Sequence, residues 1–402
     1  MSGRTRSIPA ARRNLSCWCR SFRRTNPADC RTAAAARPQK RAPQYRRTSM
    51  PAAVKRRKKS NRRARSKRDK AAPTAAKQAK GPTPKPVVID VHAHLLVPEA
   101  MKRTYAHSQY AHAVAGGGGV PEPLFKRMTE LPLRLREMDA TGVDMQVISP
   151  SIMQQCTYAL DPQEALETDR YSNDRIAELV GHHPDRLIGL GSLPLHDAAL
   201  SASELERCVH NLGLRGVIIS SHVNGMELGD TRLRPFWAKA AELGAVIFVH
   251  PAGSTDTRMR HNRLMITVGQ PLEEAYALSS LIYEGVMDEF PMLKILVAHG
   301  GGYLPFYAGR HDNEYRYGRS PQLKGDFSSY LPRFFYDTVL FNPDMLEFLV
   351  TKVPASHVML ASDYPFAEKR PVEYVRHAKK IGKKAQDAIL GKNAARLFEI
   401  AI

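Results

Sequence analysis

The first apolar run of the folded part of the chain reads Val87-Val88-Ile89-Asp90-Val91-His92-Ala93-His94-Leu95-Leu96. Its β-branched Val and Ile residues are typical of a strand. A strand repeats every two residues, so the imidazoles of His92 and His94 leave the same face and can reach one divalent ion. A His-x-His pair on a strand is as often a surface or core pair as a metal site. Its place at the carboxyl end of a first strand is what favours the metal.

The same alternation continues toward the C-terminus. From Val87 onward, segments with helical character end at a glycine and are followed by a run rich in Val, Ile and Leu. Helix ends are predicted at Gly142, Gly181, Gly213 and Gly244, because glycine readily takes the positive φ of the residue that follows a helix. Eight strands are predicted, over residues 87–91, 143–149, 186–193, 214–220, 245–250, 293–299, 334–338 and 357–362.

Eight apolar strands alternating with helices predict an α/β fold, a TIM-like (β/α)8 barrel formed by residues 87–402. An open dinucleotide-binding sheet is less consistent, because no Gly-x-Gly-x-x-Gly loop follows the first strand. Residues 98–123, which include four consecutive glycines at 116–119, are predicted to form a long insertion after that strand. Loops at this end of a barrel lie over the catalytic face.

Most of the positive charge lies in an N-terminal arm. The 402-residue chain has a formal net charge of +21, but residues 1–86 hold 27 Lys or Arg against Asp29 and Asp69, a net of +25. The barrel residues therefore carry −4. The arm is predicted to be disordered, because it buries too little apolar surface to offset chain entropy. One interpretation is that the arm binds nucleic acid or another polyanion weakly. The alternatives are a solvated extension, or an over-long gene model whose true start is Met50.

The chain is predicted to be cytoplasmic and to have no membrane partner. No stretch approaches the length of a spanning helix, and no apolar core of a secretory signal follows the first basic residues. Of five cysteines, only Cys156 and Cys208 lie outside the arm. Neither a disulfide framework nor a structural zinc knuckle is indicated.

Metal-capable side chains recur at the carboxyl ends of the predicted strands: His92 and His94 on the first, His250 on the fifth, His299 on the sixth and Asp363 on the eighth. A barrel gathers these ends around one mouth. Three imidazoles and a carboxylate suit Zn²⁺, with Mn²⁺, Co²⁺ or Fe²⁺ as alternatives. If His92, His94, His250 and Asp363 bind the ion, His299 is free to act as a general acid or base.

The order His-x-His, His, His, Asp along eight βα units resembles the amidohydrolase superfamily and, within it, the amidohydrolase-related branch. The nearest resemblance is to the 2-amino-3-carboxymuconate-6-semialdehyde decarboxylases and their relatives, and it covers residues 87–402. The segments that carry it are Leu135-Arg136-Glu137-Met138-Asp139-Ala140-Thr141-Gly142-Val143-Asp144, Phe248-Val249-His250-Pro251, Ala298-His299-Gly300-Gly301-Gly302, Val358-Met359-Leu360-Ala361-Ser362-Asp363-Tyr364-Pro365-Phe366 and Gly391-Lys392-Asn393-Ala394-Ala395-Arg396-Leu397-Phe398.

The resemblance implies roles for single residues. It makes His92, His94, His250 and Asp363 zinc ligands, and His299 the acid/base. Arg310 matches an arginine that reaches a substrate carboxylate across a dimer interface, which implies a homodimer; a structural ion pair is its alternative role. Strand four ends at Ser220-Ser221-His222 without the bridging Lys or Glu of binuclear relatives, which favours a single metal, and His222 is predicted to line the pocket and contact substrate.

Two features depart from the resembled decarboxylases. They have an aromatic residue after the His-Pro of strand five, where this chain has Ala252, and their second carboxylate-binding arginine has no match, since Arg127 has the wrong spacing. We expect a zinc-dependent, non-oxidative decarboxylase of a small unsaturated or aromatic carboxylate. The alternatives are a metal-dependent hydrolase or hydratase of a lactone, amide or conjugated acid, and a protein that associates with nucleic acid through its arm.

Overall fold

The computed structural model describes residues 86–105, 120–150, 156–251, 254 and 256–402. The predictions for the arm before residue 86 and for the glycines at 116–119 lie outside these residues. The strands are β1 (Ile89–Leu95), β2 (Met145–Pro150), β3 (Leu187–Gly189), β4 (Gly216–Ser220), β5 (His222–Val223), β6 (Met226–Glu227), β7 (Val246–His250), β8 (Lys294–Val297), β9 (Phe335–Asp337) and β10 (Val358–Met359).

The helices are α1 (Pro98–Tyr105), α2 (Glu122–Thr129), α3 (Leu131–Thr141), α4 (Pro162–His182), α5 (Ala198–His210), α6 (Arg234–Leu243), α7 (Gln270–Tyr283), α8 (Val286–Glu289), α9 (Leu304–Arg316), α10 (Pro343–Lys352), α11 (Pro371–His377), α12 (Lys383–Asp387) and α13 (Asn393–Leu397). None of the helices in the described part of the chain combines the length and the apolar character needed to cross a membrane.

Eight of the strands form a closed parallel barrel. Strands β1, β2 and β3 pair in that order, and β4, β7, β8, β9 and β10 pair in a second series. A parallel bridge between Gly191 and Val217 joins the two series at one side, and a bridge between Ala93 and Tyr364 joins them at the other. The remaining strands, β5 and β6, form a short antiparallel hairpin. The predicted (β/α)8 barrel is confirmed.

Alternation along the strands separates two apolar layers. One face of each barrel strand contributes to a central cluster that includes Val147, Ile218 and Phe248. The other face packs with the helices in a larger cluster, which includes Val217 of β4 and the fully buried Trp237 of α6. At the carboxyl ends of the strands, the inward-facing positions carry the side chains that line the barrel mouth.

Each of the eight predicted runs overlaps one barrel strand, but two local predictions are wrong. Gly142, Gly213 and Gly244 have the expected positive φ. Gly181 instead lies inside α4, which continues to His182, because the helix is stopped by the proline at 184 and not by a glycine. The segment after β1 begins with α1 and not with a loop, since Pro98 occupies the first turn of a helix, where proline is tolerated.

We expect Gly216→Ala to destabilise the barrel. Gly216 has a φ of 150°, and a Cβ placed on it would lie 1.9 Å from the carbonyl oxygen of Val246 on the neighbouring strand. Such overpacking should cost about 3 kcal/mol and lower the urea midpoint. Gly181→Ala is the matched control, because a Cβ there meets nothing within 4 Å. Equal midpoints for the two variants would contradict this packing.

Candidate metal centre

A β-bulge in β1 aims the first two histidines into the barrel. Asp90 pairs with Gln146 of β2, but Ala93 pairs with Ile148, so β1 has one extra residue between these points. Asp90 therefore faces outward beside Gln146, while the ring centroid of His92 lies 4.9 Å from that of Phe248 in the barrel interior. The sequence analysis predicted that His92 and His94 leave the same face of a regular strand. It did not predict the bulge, but both histidines reach the mouth.

All five predicted groups meet at the mouth of the barrel. His92, His250, His299 and Asp363 each offer a ligand atom, and these four atoms lie within 4.8 Å of one another. His94 adjoins them, with its Nε2 3.0 Å from Nε2 of His92 and 3.2 Å from Oδ1 of Asp363. The convergence of residues separated by more than 270 positions is a direct result of barrel closure.

The spacing of the donor atoms fits a divalent ion. Nε2 of His92, Nε2 of His94 and Oδ1 of Asp363 lie 3.0 to 3.3 Å from one another. Metal–ligand bonds of about 2.0–2.1 Å in a tetrahedral site separate neighbouring ligand atoms by about 3.3 Å. The nitrogen and oxygen donors are also those that first-row divalent metals take in proteins. The cluster is therefore a site for a divalent metal ion.

The electrostatics of His94, His250 and Asp363 favour the protonation states that metal binding requires. Burial lowers the pKa of His94, and burial together with the neighbouring His94 and His92 holds the pKa of His250 well below its usual range. Burial alone would raise the pKa of Asp363, but the imidazoles of His92, His299 and His94 outweigh it and hold that pKa well below its usual range. Neutral imidazoles beside an ionised carboxylate are ready to bind a cation.

Asp337 orients His92 from behind the site. Its Oδ2 lies 2.7 Å from Nδ1 of His92, and its Oδ1 accepts hydrogen bonds from the backbone N–H groups of Gly300 and Val339, each at 3.1 Å. A carboxylate that accepts the Nδ1 proton leaves the Nε2 lone pair directed at the metal. Sequence analysis missed Asp337, although an aspartate within the predicted strand at 334–338 was a usable signal.

His299 differs from the other imidazoles in how it is held. Its Nδ1 hydrogen-bonds to Glu274, a fully buried carboxylate on α7, while its Nε2 lies 3.8 Å from Oδ2 of Asp363. Burial would lower the pKa of His299, but the carboxylates of Glu274 and Asp363 outweigh it and hold the pKa well above its usual range. Burial also raises the pKa of Glu274, to about 7. The neighbouring carboxylates therefore favour the protonated form of the His299 imidazole.

A buried carboxylate ties the two ends of the barrel together beneath the site. Oδ1 of Asp90 accepts hydrogen bonds from the backbone N–H of His92 at 3.1 Å and of Ser362 at 3.0 Å. Its Oδ2 accepts from the Ser362 hydroxyl at 2.5 Å and from the Gln146 amide at 3.0 Å. Asp90 thus fixes the strand that carries His92 against the residue that precedes Asp363. No motif in the sequence indicates this role for Asp90.

The other predicted site residues lie apart from the cluster. His222 begins β5, two residues after the end of β4, where its Nε2 lies 3.6 Å from Oε2 of Glu273 and its Nδ1 accepts a hydrogen bond from the N–H of Gly225. Arg310 is exposed on α9. Arg127, whose spacing does not match a substrate-binding arginine, donates hydrogen bonds to Glu137 and to the carbonyl of Pro365.

Comparison with known proteins adds independent information. A family model described as amidohydrolase matches residues 89–400. The 2-amino-3-carboxymuconate-6-semialdehyde decarboxylase of Dictyostelium discoideum is 36% identical over 270 residues, covering 65% of this chain and 74% of that protein. The gamma-resorcylate decarboxylase of Rhizobium sp. (strain MTP-10005) is 26% identical, covering 78% of this chain and 98% of that protein.

A solved structure has the same fold over the whole described barrel. The 5-carboxyvanillate decarboxylase LigW from Sphingomonas paucimobilis matches with a TM-score of 0.73 and 27% sequence identity, over 79% of this chain and 100% of that chain. These matches confirm the resemblance that the motifs around His250, His299 and Asp363 indicated.

Proposed function

The chain belongs to the amidohydrolase family, and on this basis we propose that it is a zinc-dependent, non-oxidative decarboxylase of a small unsaturated or aromatic carboxylate. The observation that carries the proposal is the pairing of a divalent-metal site with a fifth group, His299, whose Nδ1 is held by a buried carboxylate. The relatives named above are decarboxylases, which supports this choice among the chemistries of the fold.

An aromatic side chain beside the metal site supports an aromatic or unsaturated substrate. The ring centroid of Phe366 lies 5.6 Å from that of His94, and the side chain is 43% exposed. An exposed aromatic face at the mouth offers a stacking surface to a planar substrate. Polar groups on one wall and an aromatic face on the other are typical of small-molecule sites.

We assign His92, His94, His250 and Asp363 as the metal ligands. The mutual distances of 3.0 to 3.3 Å among His92, His94 and Asp363 support these three as ligands. His250 offers a donor atom within 4.8 Å of those of His92 and Asp363, which supports it as the fourth. Zinc is the proposed ion because three imidazoles and one carboxylate suit it, and Mn²⁺, Co²⁺ or Fe²⁺ are the alternatives. When bound, the ion would supply Lewis-acid polarisation of a substrate oxygen.

His299 is the proposed acid/base. Decarboxylation breaks the bond between the carboxylate carbon and the substrate carbon, and the electron pair that remains on the substrate carbon must take a proton. Nε2 of His299 faces the site and delivers that proton, while Nδ1 stays hydrogen-bonded to Glu274. Carbon dioxide leaves and one proton is consumed, so the reaction balances without an oxidant.

Hydrolysis or hydration at the same metal is the alternative, because the fold hosts several chemistries. Incubation of metal-loaded protein with a panel of aromatic and unsaturated acids separates the two. Release of carbon dioxide supports the decarboxylase. Clean hydrolysis of lactones or amides, with no carbon dioxide from any acid, would overturn it.

We further propose a homodimer in which Arg310 binds the substrate carboxylate of the partner subunit. Arg310 lies on α9 beside two exposed aromatic side chains, Phe306 at 65% and Tyr307 at 53% exposure. Exposed aromatic groups next to an arginine are typical of interface residues. A guanidinium pairs bidentately with a carboxylate, which suits the proposed substrate.

Complementation between two inactive variants tests the role of Arg310. Arg310→Ala should lower kcat/KM by roughly 30-fold, the effect of losing one partner of a charged hydrogen-bonded pair. Co-expression of Arg310→Ala with His299→Ala should restore about a quarter of wild-type activity, because half the dimers are mixed and each has one intact site. If the mixture is as inactive as its components, Arg310 does not act across an interface.

A cytoplasmic location and a role for the arm complete the proposal. Cys208 is a free buried thiol, which fits a reducing compartment.

Association of residues 1–86 with nucleic acid or another polyanion rests on their net charge of +25. Binding of the full chain to duplex DNA should weaken steeply as salt rises. Binding that does not respond to salt would rule out the electrostatic contact.

A further inference from the structure

Two serine side chains, Ser149 and Ser220, lie at the carboxyl ends of barrel strands and face its interior. Along β2, Ser149 follows Val147 of the central cluster by two residues, and it pairs in register with His94. Along β4, Ser220 follows Ile218 of the same cluster by two residues. Ser220 pairs in register with His250. Since register partners on parallel strands point to the same side, each serine stands beside a proposed metal ligand.

Both hydroxyls are buried but have no hydrogen-bond partner within the described residues. Ser149 and Ser220 are each 1% exposed, and the Oγ atom of each is unpaired there. A buried hydroxyl without a partner costs about 1–3 kcal/mol. The buried carboxylate of Asp90 avoids this cost, because it accepts four hydrogen bonds. Within the described part of the chain, two unpaired hydroxyls beside the proposed metal ligands are therefore available to hydrogen-bond a ligand.

The order of the strands places the serines on the arc of the barrel that the metal cluster leaves open. The proposed ligands and His299 come from β1, from β7, from the end of β8 and from the segment after β10. Ser149 is on β2, next to β1, and Ser220 is on β4, next to β7, with β3 between them. Both serines therefore lie on strands that flank β3, at the same end of the barrel as the proposed metal ligands.

We propose that Ser149 and Ser220 form a hydroxyl subsite that selects substrates with a neutral hydrogen-bonding substituent, such as a ring hydroxyl, next to the reacting carboxylate. A serine hydroxyl both donates and accepts, which matches a phenolic hydroxyl, and it has no charge to attract a second carboxylate. A site built to hydrogen-bond a substrate hydroxyl discriminates against an analogue without it. This inference deepens the proposed function and rests on it for the identity of the ligand.

Equilibrium binding tests the subsite without requiring turnover. Isothermal titration of the metal-loaded full chain with 2,6-dihydroxybenzoate and with benzoate compares a ligand that has the substituent with one that lacks it. The wild-type protein should bind the dihydroxy acid more tightly. Ser149→Ala and Ser220→Ala should each weaken its binding by about tenfold and leave benzoate binding unchanged.

Ser201→Ala is the matched control. Its hydroxyl is also buried and unpaired within the described residues, but it lies on α5. This variant should bind both acids as the wild type does. Equal binding of the two acids by the wild type, or full retention of the preference in the Ser149→Ala/Ser220→Ala double variant, would overturn the subsite. Carbon dioxide release by the same samples reports separately on the proposed decarboxylase.

Discussion

His299→Asn should lower kcat for decarboxylation by about 10²- to 10⁴-fold, the usual contribution of a positioned general acid or base, while the bound metal is retained. The physical reason is that Nε2 of His299 provides the proton for the substrate carbon, whereas Nδ1 is tied to Glu274. Asparagine preserves a polar side chain of similar reach but cannot exchange this proton.

Metal content decides how that result is interpreted. The four-atom group within 4.8 Å includes His299, so its role as a ligand is the direct competitor of its role as acid/base. Loss of the metal from His299→Asn would show that it is a ligand and would contradict the assignment made here. Glu274→Gln provides a graded control: it should reduce kcat less and move the pH profile, because the neutral amide no longer stabilises the imidazolium.

Asp363→Ala should remove the metal and with it all measurable turnover. Asp363 supplies the carboxylate that lies 3.3 Å from Nε2 of His92 and 3.2 Å from Nε2 of His94, so its loss leaves only neutral donors. Elemental analysis of the purified variant should find little metal, whereas circular dichroism should show a folded barrel. A variant that keeps wild-type metal content would show that the carboxylate is not a ligand.

Asp337→Ala is the comparison for that prediction. Asp337 contacts Nδ1 of His92 on the side away from the cluster, so it supports a ligand without being one. Its removal should weaken metal affinity by about 10–100-fold. Excess metal should restore activity to Asp337→Ala but not to Asp363→Ala. If excess metal restores activity to both variants or to neither, the distinction between Asp363 as a metal ligand and Asp337 as a residue that orients His92 would be wrong.

The barrel and its five polar groups could be predicted because each depends on a short local pattern. Continuous apolar runs indicate buried strands, and polar residues at their ends share one mouth once the barrel closes. His250 and Asp363 lie 113 positions apart in the sequence, yet each was recognisable from its own strand alone. The predicted helix end at Gly181 was wrong because it also rested on a local pattern alone. A glycine marks a helix end only where the residues after it do not continue the helix.

What could not be predicted depends on contacts between distant elements. The partners of His92 and His299 are Asp337 on β9 and Glu274 on α7. Asp337 lies within a predicted strand, but no local pattern shows that either carboxylate contacts a histidine. The bulge after Asp90 also follows from its pairing with Gln146 and its bonds to Ser362. Ser149 and Ser220 became candidates only when burial showed that their hydroxyls are unpaired within the described chain.

The stoichiometry of carbon dioxide release by the metal-loaded enzyme in D₂O separates decarboxylation from hydration and hydrolysis. With an acid that the enzyme consumes, we predict one carbon dioxide for each acid lost, and one deuterium on the carbon that carried the carboxylate, as expected if His299 returns a solvent-derived proton to that carbon. Consumption of the acid with no carbon dioxide, and a product that has gained the elements of water, would contradict the decarboxylase.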